Sequence, residues 1–452
     1  MQVNGKHIVV IGAAKSGVAV ARLLKDKGAT VFVTDAGAIP AHRASFLDET
    51  GIQWESNGHS EHAEKADFAV VSPGVPTEAS LVQLYLNSGR KVYSEIEAAS
   101  WFCSGSITAI TGSNGKTTTT SWLSDIWKRS GKSFVTGGNI GTAFSELIPS
   151  ITDETHTVLE VSSFQLDHID TFKPKISAIL NITPDHLNRY NNQFERYAAS
   201  KMNIMQNQNP GDFFVYNYDD PVIREQLTGA GIRPDGPQLI PFSMLDEVSK
   251  GAFLRNETIM LNLDGTDEPL MHVDELSLKG MHNVANGLAA AVMARLADIT
   301  NDVIRESLSH FEGVEHRLEL VRILDGVRYL NDSKATNINS VWYALQSMQS
   351  PVVLILGGRD KGNDYKELEK LIRSKVHTII AIGESKEIVR TQTQAMVNSF
   401  LMAETMEDAV HQAKKCAKKG DAVLLSPACA SFDMFDGYEH RGQVFKTLVN
   451  NL

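Results

Sequence analysis

Short apolar runs recur along this chain, each closed by glycine or a polar turn and most followed by a helical pattern. That alternation constrains the fold more than any other feature, because strands apolar on both faces and separated by helices belong to covered parallel sheets. Three sets separate. The first holds Ile8-Val9-Val10-Ile11, a helix from about Ser16 to Lys27 stopped by Gly28, then Val31-Phe32-Val33-Thr34-Asp35, and Phe68-Ala69-Val70-Val71 ahead of Ser72-Pro73-Gly74. The second holds Ile107-Thr108-Ala109-Ile110, Val158-Leu159-Glu160-Val161, Ile176-Ser177-Ala178-Ile179-Leu180 and an Ala-rich helix from about Asn283 to Ala297. Between Gly211 and Leu278 the pattern weakens into turn-rich pieces, read as a small β excursion. The third holds Val327-Arg328-Tyr329-Leu330, Val352-Val353-Leu354-Ile355-Leu356, Thr378-Ile379-Ile380-Ala381-Ile382 and Ala422-Val423-Leu424-Leu425. Since 452 residues exceed what one core organises, three α/β domains are expected, at 1–98, 99–313 and 314–452.

Charge and cysteine usage narrow the function classes. The formal net charge is −11 and no dense Lys/Arg run appears, so the counterion-release term that nucleic-acid binding needs is missing. Cys103, Cys416 and Cys429 have neither CxxC spacing nor an even count, which points away from a disulfide framework or zinc knuckle and toward reduced thiols in a cytoplasm. No apolar run approaches the roughly 18 residues of a membrane span, and no signal peptide is read. A monomer acting on small molecules is the expectation.

The sharpest motif is Thr111-Gly112-Ser113-Asn114-Gly115-Lys116-Thr117-Thr118, between an apolar strand and a helix through Trp122 and Ile126. Backbone N–H groups of such a turn and the positive helix end bind phosphate oxygens, while Lys116 neutralises charge and Thr117 reaches Mg²⁺. The spacing is shorter than the usual G-x-x-x-x-G-K-[ST], because Ile110 stands where its first glycine would be. The bland reading is a polar turn with a surface lysine. Near the N-terminus, Gly12-Ala13-Ala14-Lys15-Ser16-Gly17 follows a strand and precedes a helix, with Asp35 closing the next strand. The second glycine of a dinucleotide fingerprint is Ala14, so NAD(P), another nucleotide diphosphate and a structural turn all stay open.

Three further residues are ambiguous when read locally. Glu160 ends a strand near the phosphate loop, where an acidic residue serves Mg²⁺ through water or is simply a solvated strand end. His186, in Thr183-Pro184-Asp185-His186, is either a metal ligand or a capped loop histidine. Lys201, in Ala199-Ser200-Lys201, reads as an exposed helix lysine.

Taken together, Gly112-Ser113-Asn114-Gly115-Lys116-Thr117, Glu160-Val161-Ser162-Ser163, Asn181-Ile182-Thr183-Pro184-Asp185-His186, Met281-His282-Asn283 and Phe311-Glu312-Gly313-Val314-Glu315-His316-Arg317 resemble the Mur ligase family in order and spacing. The likeness covers essentially the whole chain. Asn331-Asp332-Ser333-Lys334-Ala335-Thr336-Asn337, Leu356-Gly357-Gly358-Arg359-Asp360-Lys361-Gly362 and Ser426-Pro427-Ala428-Cys429-Ala430-Ser431-Phe432-Asp433 resemble its D-glutamate-adding branch. Ser113 stands where the family often has threonine.

The resemblance implies a Rossmann-like UDP-binding domain, a central P-loop ATP-binding α/β domain and a C-terminal Rossmann-like α/β domain. It implies an ATP- and Mg²⁺-dependent ligase joining UDP-N-acetylmuramoyl-L-alanine to D-glutamate through an acyl phosphate. Ser16 and Gly17 would then contact the diphosphate, Asp35 the uracil, and Gly74 and Asn139 the rest of that substrate. Gly112 to Thr118 would hold the ATP phosphates through the loop, Lys116 and Thr117, with Asn283 at the adenine, Arg317 at the phosphates and Asp332 at the ribose. Glu160, His186 and Lys201 would surround a second Mg²⁺, Lys201 as a carbamate. Lys334, Thr336, Lys361 and Ser431 would hold D-glutamate, helped by backbone near Phe432 and Tyr438. Sibling alternatives are another Mur enzyme or a folylpolyglutamate synthetase, the latter lacking the first domain. A GTPase switch lacks its N-K-x-D signature here, a nicotinamide oxidoreductase leaves Lys116 unexplained, and a non-catalytic nucleotide-binding scaffold is the remote alternative.

Overall fold

Each apolar run becomes a strand, and the strands collect into three sheets in a computed structural model that describes residues 1–229, 233–360 and 362–452. The first sheet contains β1 (His7–Ile11), β2 (Thr30–Thr34), β3 (Gln53–Glu55), β4 (Phe68–Val71) and β5 (Val92–Ser94), all parallel in the order β3-β2-β1-β4-β5. Strand order reverses between β1 and β4. In a doubly wound sheet the crevice for ligands lies beyond the carboxyl ends of the strands at that reversal, where the chain continues into Gly12-Ala13-Ala14 and Ser72-Pro73-Gly74.

The central sheet contains β6 (Ser106–Thr111), β7 (Phe134–Gly138), β8 (His156–Glu160), β9 (Ile176–Ile179), β10 (Phe213–Asn217), β11 (Gln238–Ser243), β12 (Gly251–Arg255), β13 (Thr258–Asn262) and β14 (Glu268–His272). Its order is β14-β13-β12-β11-β10-β9-β6-β8-β7, parallel except at the β12-β13-β14 meander. The expected β excursion between Gly211 and Leu278 is therefore only half right. β10 and β11, with the helix Pro221–Gly229 between them, extend the parallel sheet, and only the last three strands form the meander. Polar residues and Pro241 interrupt the apolar runs there and hide the α/β period.

The third sheet contains β15 (Glu319–Leu324), β16 (Val327–Asn331), β17 (Val352–Gly357), β18 (Val376–Ile382), β19 (Ser399–Met402) and β20 (Ala422–Leu425), in the order β15-β16-β20-β17-β18-β19. Only β15 runs antiparallel to its neighbour. No helix among the described residues is long and apolar enough to cross a membrane.

The helix Lys116–Ser130 shows how local chemistry places the phosphate loop. Gly115 precedes it at φ +83, and a Cβ there would lie 2.4 Å from Asn286 Oδ1, so glycine is required on both counts. Gly131 ends the helix at φ +71, with Lys128 and Arg129 complementing the negative end in the last turn. Trp122 anchors the inner face; it is fully buried and stacks on Phe311 at 5.6 Å.

The chain forms two compact units, Met1–Ser277 with Asn283–Phe311, and Leu278–His282 with Glu312–Leu452. The first two sheets thus share one unit. Buried carboxylates join them. Glu97, just after β5, accepts hydrogen bonds from the backbone N–H groups of Asp170, Thr171 and Phe172, from the Thr171 hydroxyl and from Trp101 Nε1. Glu95 accepts from Ser145 N at 2.7 Å, and Ser94 N donates to His168 O. Truncating Glu97 orphans one buried and several part-buried donors at once. Glu97→Ala is expected to lower the free energy of unfolding by about 3 kcal/mol or more in a urea titration, since each hydrogen bond to a charged group contributes about 1.5–3 kcal/mol; Glu97→Gln should recover part of the loss.

Candidate active site

In the first sheet, the glycine-rich turn is held by the acid that follows β2. Asp35 accepts from Ala13 N at 2.7 Å through one oxygen and from Gly37 N at 2.8 Å through the other. Gly17 sits in the first turn of the helix Lys15–Asp26, where a Cβ would meet Gly12 O at 1.9 Å; the close helix-to-strand approach needs glycine. Ser16 is half-buried beside it and Gly74 is exposed after β4.

The phosphate loop in the central sheet is stitched to the segment after β9. Asn181 mimics a backbone strand, accepting from Asn114 N at 2.8 Å and donating to Asn114 O at 3.0 Å. The Ser113 hydroxyl donates to Thr183 O at 2.7 Å, accepts from Thr183 N at 2.9 Å and lies 2.9 Å from the Tyr197 hydroxyl. Serine thus serves this position fully. Thr118 is buried one turn below.

Two lysines converge on one carbonyl. Lys116 Nζ donates to Gly112 O at 2.7 Å and Ser113 O at 3.0 Å, and Lys201 Nζ donates to the same Gly112 O at 3.0 Å. Lys201 is 1% exposed and lies 4.6 Å from the Tyr197 ring centroid, so the local reading of an exposed helix lysine is wrong. Burial, and then the charge on Lys116, push its amine well below the usual lysine range; Asp185, Asp167 and Glu160 act in the opposite sense. The helix Phe194–Met202 presents Lys201 inward because Tyr197, Ala198 and Ser200 share its buried side.

Beside the loop, Glu160 is buried at the end of β8. One carboxylate oxygen accepts from the Thr117 hydroxyl at 2.7 Å and the other from Asn139 Nδ2 at 3.0 Å. It is no solvated strand end. His186 occupies a left-handed position at φ +51, exposed, its ring perpendicular to that of Phe164 with centroids 6.2 Å apart. Asn283, in the first turn of the helix Met281–Leu296, is buried and accepts from Asn286 Nδ2 at 3.2 Å.

In the second unit, Asp332 follows β16 and is buried. It accepts from the Ser426 hydroxyl at 2.7 Å and Leu318 N at 3.2 Å. Burial raises its carboxyl to about 6, against the opposing pull of Arg317. Lys334 Nζ donates to the Tyr438 hydroxyl at 2.9 Å, Thr336 N donates to Lys334 O, and Ser431 is buried, whereas Phe432 is 64% exposed. Lys361 lies outside the described residues. Sequence reading missed the residue that ties these loops. Arg441, 1% exposed, donates to Ser333 O and Oγ and to Cys429 O and Ala430 O. The one signal was the glycine after it, since a Cβ on Gly442 would lie 2.3 Å from His316 Nδ1.

Family models match in chain order: the MurD N-terminal domain over residues 7–81, the Mur ligase middle domain over 110–294 and the Mur ligase glutamate ligase domain over 316–429. A UDP-N-acetylmuramoylalanine–D-glutamate ligase of Salinibacter ruber is 50% identical, the match covering 100% of this chain and 99% of the relative. The chain belongs to the Mur ligase family. A relative of the same name from Chlorobium limicola is 45% identical over 99% of both chains. Among solved structures, the UDP-N-acetylmuramate–alanine ligase MurC of Thermotoga maritima matches at TM-score 0.62 and 17% identity over 99% of each chain. The MurF ligase of Thermotoga maritima, solved in complex with ADP, matches at TM-score 0.60 and 17% identity over 93% of this chain and 96% of its own. These two show the shared three-domain fold. As a Mur ligase the chain is an ATP-dependent enzyme that forms an amide bond.

In this Mur ligase the raised carboxyl of Asp332 has a defined pH signature. Its folded value of about 6 exceeds the ordinary 3.8, so ionisation costs stability as pH rises through about 6, and the cost is absent below about 4. Asp332→Asn, whose carbonyl still accepts from Leu318 N while its amide donates to the Ser426 hydroxyl oxygen, is expected to be more stable than the parent at pH 8 by on the order of 3 kcal/mol. The difference should vanish near pH 4 in paired denaturation curves.

Proposed function

We propose that this enzyme joins D-glutamate to the L-alanine carboxylate of UDP-N-acetylmuramoyl-L-alanine, at the expense of ATP and with Mg²⁺, in peptidoglycan precursor synthesis. The observation that carries the substrate assignment is whole-chain similarity to relatives bearing that activity in their names. Segment 1–98 is assigned to the UDP-sugar, through Ser16, Gly17, Asp35 and Gly74 with Asn139 of the central domain. Segment 99–313 is assigned to the ATP phosphates and segment 314–452 to D-glutamate, through Lys334, Thr336, Lys361, Ser431 and the backbone near Phe432 and Tyr438.

A carboxylate is a poor acyl donor, so it is first activated. The terminal phosphoryl group of ATP passes to the alanine carboxylate, the bond to ADP breaks, and an acyl phosphate forms. Lys116 and the loop N–H groups offset charge on the group in transit. The neutral amine of D-glutamate then attacks the acyl carbon, the tetrahedral intermediate expels inorganic phosphate, and loss of a proton leaves the amide.

The residues present fit Mg²⁺. Thr117 and Glu160 offer a hydroxyl and a carboxylate 2.7 Å apart at the loop, the hard oxygen donors this ion prefers. Bound there, the ion would supply further charge neutralisation for phosphoryl transfer. A second ion is assigned to Glu160, His186 and Lys201. An ammonium cannot ligate a cation, but an amine held toward its neutral form adds carbon dioxide and loses a proton to give a carbamate, an oxygen donor. Burial beside Lys116 supports that chemistry at Lys201.

Phosphate release measured with ATP and UDP-N-acetylmuramoyl-L-alanine should depend on D-glutamate and not on L-glutamate, L-lysine or diaminopimelate. Preference for another amino acid would assign the chain to a sibling activity. Lys116→Ala should fold and lose about 10²-fold or more in rate, as when a transition-state donor is removed; retention of most activity would exclude the phosphate-transfer role. Lys201→Ala should be nearly inactive and regain activity with an added small carboxylate, whereas full activity without rescue would return Lys201 to a packing role.

A further inference from the structure

The segment after β9 carries His186 and then turns through a short 3-10 helix, Leu187–Tyr190, between left-handed residues at His186, Asn191 and Asn192. Two adjacent side chains in that turn are fixed on opposite sides. The Tyr190 hydroxyl donates to Asp167 at 3.0 Å and lies 3.2 Å from the Ser200 hydroxyl, one residue before Lys201. Arg189 reaches the other way, to the first sheet. Its guanidinium donates to Pro73 O at 2.9 Å and to Gly74 O, while its plane covers the Phe164 ring at 4.5 Å. Phe164 also lies perpendicular to the His186 ring.

A guanidinium that spends its donors on two successive carbonyls and its face on an aromatic ring fixes position and angle together. Partial burial pushes Arg189 down from its usual range, with Asp167 and Glu78 opposing. The cation is held by geometry rather than by an ion pair, since its donors go to carbonyl oxygens and no carboxylate of the described residues forms a salt bridge with it.

We propose that Arg189 is a positioning residue. It clamps the Ser72-Pro73-Gly74 turn of the first sheet to the His186 loop of the central domain, so that the acyl-donor substrate at that turn presents its carboxylate in register with the phosphate loop. This rests on the proposed function, because the turn matters only if the sugar-nucleotide substrate lies along it.

The test uses the full-length enzyme in the ligation assay, with the parent as control. Arg189→Ala should raise the KM for UDP-N-acetylmuramoyl-L-alanine about tenfold, because binding must then order a turn that the parent holds in place. The KM for ATP should stay near the parent value, while the melting temperature falls modestly with the lost intraprotein hydrogen bonds. Added guanidinium ion should restore part of the substrate affinity, and Arg189→Lys, which keeps charge without the planar fork, should not match the parent. An unchanged sugar-nucleotide KM in Arg189→Ala overturns the proposal, and so does an equal loss for both substrates with no guanidinium rescue. If Arg189→Ala does not fold, Arg189→Lys decides by the same KM comparison. Failure of the parent itself to ligate would reject the functional reading instead.

Discussion

Gly112 O accepts hydrogen bonds from two lysine side chains, and much of the central domain is arranged so that this can happen. Burial and the neighbouring Lys116 charge both disfavour a second ammonium there, so the Lys201 amine is pushed toward its neutral form. Lys116 is fixed by the first turn of the helix that opens on Gly115. Lys201 is fixed by the buried side of its own helix, by the Tyr197 ring and by the Ser200 hydroxyl, which donates to Ser163 O. The stitching of Asn181 and Thr183 to the loop then holds the shared carbonyl in place.

The central strands were legible because each is apolar on both faces and stops at glycine or a polar turn. β3, β5, β15 and β19 were not. They are short or half-exposed, and at a sheet edge only one neighbour contributes to burial, so their runs lack the density that marks a buried strand. The phosphate loop was readable for the opposite reason. Its requirements are local: a strand, a glycine able to take φ +83, a lysine and a helix, all within a dozen residues.

Lys201 and Arg441 show where such reading stops. Each sits in a helix whose own sequence offers no reason to bury a cation, and each is buried by elements distant in the chain. For Lys201 the distant element is the Gly112 turn; for Arg441 they are the loops after β16 and β20. A residue's partners across the fold are a tertiary property, so neighbours in sequence carry little of that information. Resemblance to a family singled out Lys201, whereas for Arg441 the glycine after it was the one sign in the sequence.

The carboxylate seam at Glu95 and Glu97 has a metrical meaning. By fastening the first sheet to the central one through buried hydrogen bonds, it makes the separation between the Asp35 turn and the phosphate loop a constant of the fold, as a gauge block sets a gap. A ligand bridging the two must have the length that the seam prescribes. On the proposed function, preference for substrate length would be stored in this joint rather than in the residues assigned to bind the substrate, and altering the joint would retune it.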